Sequence, residues 1–398
     1  MRAPHLRKLL FTFSLLACGA WSAGANASAF VQCPGDTNGD AIPDAPNPAV
    51  KCMHLSAGDG YVRMADGRIL YIFGFSDLTG VPLAQSIGAG ILAANFPAPT
   101  IEMKEGQPFY LTVTNVGMTM RPDLFDPHSV HFHGFSNQAP IFDGLPETSV
   151  AVNMGASLSY YYNPTEPGTY MYHCHVEATE HMQMGMLGNL YVHPAQNGSS
   201  KVYGGRTYTR FAYNDGDGAT GYNKEYPLQL GSFDHNFHDA SESIQPLPFA
   251  EMRDTYPMIN GRGYPDTVNP NQLPAPAENG GIVSQKVSSS ITINRAVEGE
   301  RILLRISDLN VTNFYTVTAL GLPMKVVGGG ARIARGPGGK DLFQDTNSVT
   351  VGGGEAVEVI VDTAGVPAGT YFLYTTNLNF LSNNDEDLGG MMTEIVVN

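Results

Sequence analysis

Between residues 128 and 181 the chain sets six of its eleven histidines around a single cysteine, and four of the six lie in two alternating triplets, His131-Phe132-His133 and His173-Cys174-His175. Alternation is the periodicity of an extended strand, in which residues i and i+2 share a face and i+1 takes the other. His131 and His133 therefore look one way and Phe132 the other. By the same rule His173 and His175 share a face and Cys174 points to the opposite one. Such a strand can serve two polar sites, one on each side.

The surrounding sequence agrees with strands. Ile69–Phe73, Phe109–Thr114, Leu158–Tyr162, Gly168–Tyr172 and Leu187–Val192 are short β-branched or aromatic runs bounded by turn residues. A second series includes Ile291–Ile293, Arg301–Ile306, Val357–Val361 and Thr370–Tyr374. With 45 Gly, 27 Pro and only 15% charged residues, the composition suits a turn-rich β protein. The expected class is all-β, with two β-sandwiches in tandem. The first is expected over residues 68–195 and the second over 203–398, after a Gly/Asp-rich N-terminal segment at 28–67. The Pro- and Gly-rich stretch 215–288 shows no regular pattern.

Arg2, Arg7 and Lys8 precede an apolar run from Leu9 to about Ala20, followed by small residues. Residues 1–27 thus read as a secretory signal peptide, and the expected location is secreted or periplasmic. Leu15-Leu16-Ala17-Cys18 also resembles a lipoprotein box, which makes an outer-surface lipoprotein the alternative. Loss of 1–27 removes those three positive charges and no acid, taking the formal charge from −15 to −18. So acidic a chain has no general electrostatic attraction for nucleic acid or anionic membranes. No later apolar run is long enough to span a membrane.

Without Cys18 three cysteines remain. Cys33 and Cys52 are close enough in sequence to pair, leaving Cys174 over in a secreted chain. Asp36-Thr37-Asn38-Gly39-Asp40-Ala41-Ile42-Pro43-Asp44 places side-chain oxygens at alternating positions, as calcium loops do, but lacks the bidentate Glu of an EF-hand. A solvated acidic turn and a calcium site are equal readings there.

The setting of Cys174 points to metal. Cys174 with His128, His181 and a weak axial thioether from Met186 would make the ligand set of a blue (type 1) copper centre. On the opposite face, His131, His133, His173 and His175 would form an all-imidazole pocket suited to further copper. Asp143 precedes a glycine, as a turn residue commonly does. His54 and His193 read as structural.

Pro97-Ala98-Pro99-Thr100-Ile101, His131-Phe132-His133-Gly134, Phe142-Asp143-Gly144 and Gly168-Thr169-Tyr170-Met171-Tyr172-His173-Cys174-His175 occur in an order that resembles the multicopper oxidases. The resemblance is close over about residues 95–195 and weaker over 203–398. It implies cupredoxin-like Greek-key sandwiches, with His128, Cys174, His181 and Met186 at type 1 copper. It implies that His131, His133, His173 and His175 are half of a type 2/type 3 cluster, and that Asp143 is an acid beside that cluster. Copper nitrite reductases are two-domain relatives, but they lack the His-Cys-His doublet and carry Asp at the position of His131.

Two departures stand out. Six residues separate Cys174 from His181, about two more than in laccase-type loops. The family cluster also takes four His from each of two domains, whereas only His235 and His238 follow His193 here. Domain 2 is therefore expected to be copper-free. Three completions of the second site are open. Two copies of domain 1 could pool their histidines in a homo-oligomer, which is placed first. His235 and His238 could reach in, or the pocket could hold fewer coppers.

The leading functional expectation is a copper-dependent oxidoreductase. It would pass electrons from a phenol, a metal ion or a redox protein through type 1 copper to dioxygen. A blue copper electron carrier or copper-handling protein is the alternative, and nitrite reduction is ranked third.

Overall fold

The computed structural model describes residues 31–135, 138–243, 246–295 and 299–398. The expected signal peptide and Cys18 lie outside them. Two β-sandwiches follow one another along the chain. The first is built from β1 (Lys51–Arg63), β2 (Ile69–Asp77), β3 (Ala98–Lys104), β4 (Phe109–Gly117), β5 (His131–Phe132), β6 (Ser157–Tyr162), β7 (Gly168–His173) and β8 (Leu187–His193). One sheet has the order β2-β1-β4-β6 and the other β3-β8-β7-β5. β1 runs parallel to β4 and β3 parallel to β8, because the chain crosses between sheets.

Alternation decides which side chains enter this core. Phe109, Leu111 and Val113 of β4 are fully buried, while Tyr110 and Thr112 between them are only half-buried. Tyr160 and Tyr162 of β6 point inward and Tyr161 outward. Phe132 is inside, stacked on Phe135 and packed against Tyr162 and Tyr172. Burial of each large side chain contributes about 1.5–3 kcal/mol. The cluster anchors β5 and obliges its two flanking histidines to face away.

The second sandwich pairs a larger and a smaller sheet. The larger runs Tyr256–Ile259, Lys224–Phe233, Arg301–Asp308, Glu355–Asp362, Met324–Gly329, Arg332–Ile333, with Gln344–Thr346 also on Met324–Gly329. The smaller runs Ile291–Ile293, Met392–Val397, Gly369–Thr375, Tyr315–Ala319, Ser348–Val351. Leu304, Ile306, Val317, Val351, Val359, Leu373 and Ile395 fill the space between.

The first sandwich starts earlier than residue 68. β1 is a thirteen-residue strand inside its sheet, not part of a leader. Its polar residues broke the apolar alternation, yet each is matched across the sheet. His54 Nε2 meets Thr114 Oγ1 at 2.8 Å, Ser56 Oγ meets Ser76 Oγ at 2.5 Å, and Tyr71 donates to Asp59 at 2.9 Å. Cys33 is disulfide-bonded to Cys52 of β1, so the N-terminal segment is tied to the sandwich. Part of the 215–288 stretch is also regular: Lys224–Phe233 and Tyr256–Ile259 join the larger sheet of domain 2.

The two sandwiches meet through β7 and β8. Thr169 N–H donates to Glu358 at 2.8 Å, Arg305 to the Thr169 hydroxyl at 3.2 Å, and Ser307 to Asn189 at 2.8 Å. Arg305 is wholly buried and also donates to Glu225 at 2.7 Å. The strand that ends in His173 is therefore clamped against domain 2.

Candidate metal centre

β7 ends at His173, and the chain then passes through Cys174 and His175 into a short helix, Ala178–Gln183. Cys174 points into the core, where its thiol is unpaired and fully buried. His128, held by paired backbone bonds to Val152, brings Nδ1 to 3.8 Å from the sulfur. The helix absorbs the long Cys174–His181 interval. Glu177 takes a left-handed conformation (φ 47°) to start it, and the helical turn brings His181 Nδ1 to 3.2 Å from the sulfur. One donor atom from each of His128, Cys174 and His181 lies within 4.8 Å of the others. Cys174 N–H donates to Met186 O (3.1 Å), and Met186 N–H to His181 O (2.8 Å). The buried Met186 is thus fixed beside the two.

The electrostatics suit a cation. His128 is held well below the ordinary imidazole value, first by burial and then by repulsion from His181. Burial also pushes His181 down, but the Cys174 sulfur and the Asp126 carboxylate outweigh it and lift the ring to about 10. Asp126 stands 3.9 Å from His181 Nε2, too far for a hydrogen bond. The buried Nε2 atoms of His128 and His181 have no hydrogen-bond partner. A buried sulfur flanked by two Nδ1 atoms that draws a proton into its midst is a place where a metal ion lowers the energy. Two imidazoles and a thiolate fit copper, which also accepts a distant thioether.

Beyond the β5–β7 pair, the other four histidines gather on the outer face. Ring centroids of His131 lie 5.5, 5.4 and 5.1 Å from those of His133, His173 and His175. One donor atom from each of His131, His133 and His173 lies within 4.8 Å of the others. Burial lowers His133, and lowers His173 to about 3, so both are kept as neutral rings able to donate a lone pair. Asp143 accepts from His131 Nδ1 through its main-chain oxygen at 2.6 Å, and its carboxylate stands 3.7 Å from the same nitrogen. Gln138 donates to that carboxylate at 2.6 Å.

His235 and His238 do not reach this cluster. His238 sits with its ring nitrogens 2.6 Å from Tyr71 O and 3.0 Å from Gln183 O, and His235 Nδ1 is 2.8 Å from Thr255 Oγ1. Domain 2 instead supplies a wall of small residues. Gly330, Gly354 and Ala356 face His131, His133, Thr169 and Tyr170 across a cavity of about 370 Å³. The sequence reading missed this wall, and its one visible trace is the run Gly352-Gly353-Gly354. His54 is hydrogen-bonded within its sheet and His193 contacts Glu102, as structural residues do. In the Asp36–Asp44 loop, the Asp36 carboxylate accepts the amides of Gly39, Asp40 and Ala41, an acidic turn closed on its own backbone.

The multicopper oxidase family model matches residues 86–197, the span that holds every one of these ligand candidates. Residues 86–197 resemble a multicopper oxidase domain. Curated relatives match over the same scale. A laccase of Aspergillus fumigatus is 32% identical over 124 residues, 31% of this chain and 20% of that protein. A multicopper oxidase of Cercospora beticola is 34% identical over 120 residues, 30% of this chain and 17% of that protein. The chain thus spans about a fifth of the length of these relatives. Among solved structures, the blue copper oxidase of Nitrosomonas europaea is similar with a TM-score of 0.60 at 21% identity, over 86% of this chain and 85% of that one. The copper nitrite reductase of the same organism gives 0.56 at 15% identity, over 87% and 93%. These likenesses extend the cupredoxin-like fold of multicopper oxidases to both sandwiches.

Proposed function

We propose that the chain is an exported copper-dependent oxidoreductase. In this reading His128, Cys174, His181 and Met186 would hold a copper that accepts electrons one at a time, and His131, His133, His173 and His175 would hold copper where dioxygen would be the electron acceptor. The observation that carries it is the convergence of His128 Nδ1 at 3.8 Å and His181 Nδ1 at 3.2 Å on the buried Cys174 Sγ. Copper bound there would supply reversible one-electron chemistry. The chain's own contribution is continuity: His173 and His175 are the covalent neighbours of Cys174, so one short run of bonds joins the two sites. Asp143 would hand on protons, a role supported by the 3.7 Å approach of its carboxylate to His131 Nδ1. Phenols, reducing metal ions and redox proteins are the donor classes.

Export is supported by the basic and apolar pattern of residues 2–20 and by the Cys33–Cys52 disulfide, which persists in oxidising compartments. No helix among the described residues is long and apolar enough to cross a membrane. A second reading, an electron carrier, is favoured by the ligand-free domain 2 wall of Gly330, Gly354 and Ala356. Oxygen uptake by the copper-loaded chain with a phenolic or ferrocyanide donor separates them. The oxidase should consume oxygen and stop when Cys174 is changed to Ser. A loaded chain that is reduced by the donor and then leaves oxygen untouched would be the carrier.

A further inference from the structure

Given the copper reading above, on which this step rests, we propose that His131, His133 and His173 form a complete single-copper site within one chain. Domain 2 completes it with the Gly354 carbonyl and not with a ligand. The ring contacts set the geometry. His131 Nδ1 lies 2.6 Å from Asp143 O, His173 Nδ1 2.7 Å from Cys174 O, and His133 Nδ1 3.4 Å from Gly354 O. A carbonyl oxygen only accepts, so each Nδ1 carries the N–H and each Nε2 is left as a bare lone pair. Orientation of a ligand ring through its far nitrogen is how metal-binding histidines are held. With that tautomer at both rings, His133 Nε2 and His173 Nε2 face each other at 2.9 Å with no proton between them. A cation shared by the two lone pairs relieves that repulsion.

The third contact crosses the domain boundary. Gly354 has φ +94°, and a Cβ there would stand 3.0 Å from His133 Cε1 and 3.1 Å from its Nδ1. Only glycine lets the domain 2 backbone come this close. The same approach places domain 2 of the chain itself on the side toward which His133 turns. His175 stands beside the trio without belonging to the group whose donor atoms lie within 4.8 Å. The cavity of about 370 Å³ between the trio and the small-residue wall leaves room for a diatomic or triatomic ligand.

The test is copper content, particle mass and electron paramagnetic resonance of the purified, copper-loaded chain and its His133→Gln variant. The proposal predicts two coppers per chain in a particle of single-chain mass, and two electrons taken up in an anaerobic reductive titration. His133→Gln should fall to one copper and keep its blue colour. Gly354→Ala should alter the resonance of the second copper and leave the blue absorption alone. More than two coppers per chain, or a second copper found only in assemblies of two or more chains, would overturn it. Failure of the functional reading looks different: colourless protein, with or without copper at the three histidines. Protein that takes up no copper at all overturns both.

Discussion

Cys174 separates two environments with a single residue. Its sulfur lies in the apolar core among Met184, Met186 and Val176, while the rings of the histidines on either side gather beside His131. This division was legible from the triplet alone, because strand periodicity settles it even though β7 ends one residue earlier. The role of Asp143 was not legible, since a turn aspartate and a proton-handling acid look alike in sequence. Its main-chain oxygen holds His131, so Asp143→Asn should leave copper content unchanged. If the carboxylate moves protons, oxygen reduction in that variant should slow by roughly 10²-fold. An unchanged rate with full copper would make it a turn residue only. His54 makes a separate point about pH. Burial depresses it to about 4 against the opposing charges of Asp77 and Asp36. Its unfolded value is near 6.5, so below that pH the unfolded chain takes up a proton that the fold refuses. Stability of the metal-free protein should therefore fall as pH drops from about 6.5 to 4. His54→Gln should flatten that slope in denaturant titrations, and an undiminished slope would assign it to other groups.

At the level of elements, the ligand helix and the domain clamp matter most. The interval from Cys174 to His181 looked too long for its role, and the helix Ala178–Gln183 shortens it by coiling. Ala178→Gly should be tolerated, whereas Thr179→Pro forces Ala178 out of the helical conformation and unsettles the turn that sets His181. Loss of blue copper in the second variant with the fold kept, seen by circular dichroism, would confirm that the helix sets the ligand. The clamp rests on Arg305, whose guanidinium is held between Glu225 and the β7 residue Thr169. Arg305→Ala strips the cation from a buried set that includes Glu358 and should cost about 3–5 kcal/mol in unfolding experiments. A change under 1 kcal/mol would show that the sandwiches stand independently. Strands with clean apolar alternation were legible; β1 was not, because its polar residues find partners only across the sheet. The strands inside 215–288 were hidden likewise, since Pro and Gly there border segments whose partners lie far away in sequence.

For the whole molecule, domain 2 brings its backbone, at Gly354, against the His133 ring of domain 1. Its fold was visible from β-rich runs, and its two histidines, His235 and His238, from simple reading. What it does was not visible, because a glycine carbonyl against an imidazole leaves no sequence signal beyond a glycine run. If copper binds only the folded chain, loading should raise the melting temperature and chelation should lower it, in proportion to the logarithm of free copper over its dissociation constant. The central claim remains that Cys174 and the rings of His128 and His181 hold copper. It is tested most directly by the absorption and electron paramagnetic resonance spectra of the copper-loaded chain beside those of Cys174→Ser. An intense blue absorption with narrow copper hyperfine splitting is expected in the wild-type chain and neither in the variant. A colourless wild-type chain that has nevertheless taken up copper, or a variant that stays blue, would contradict it.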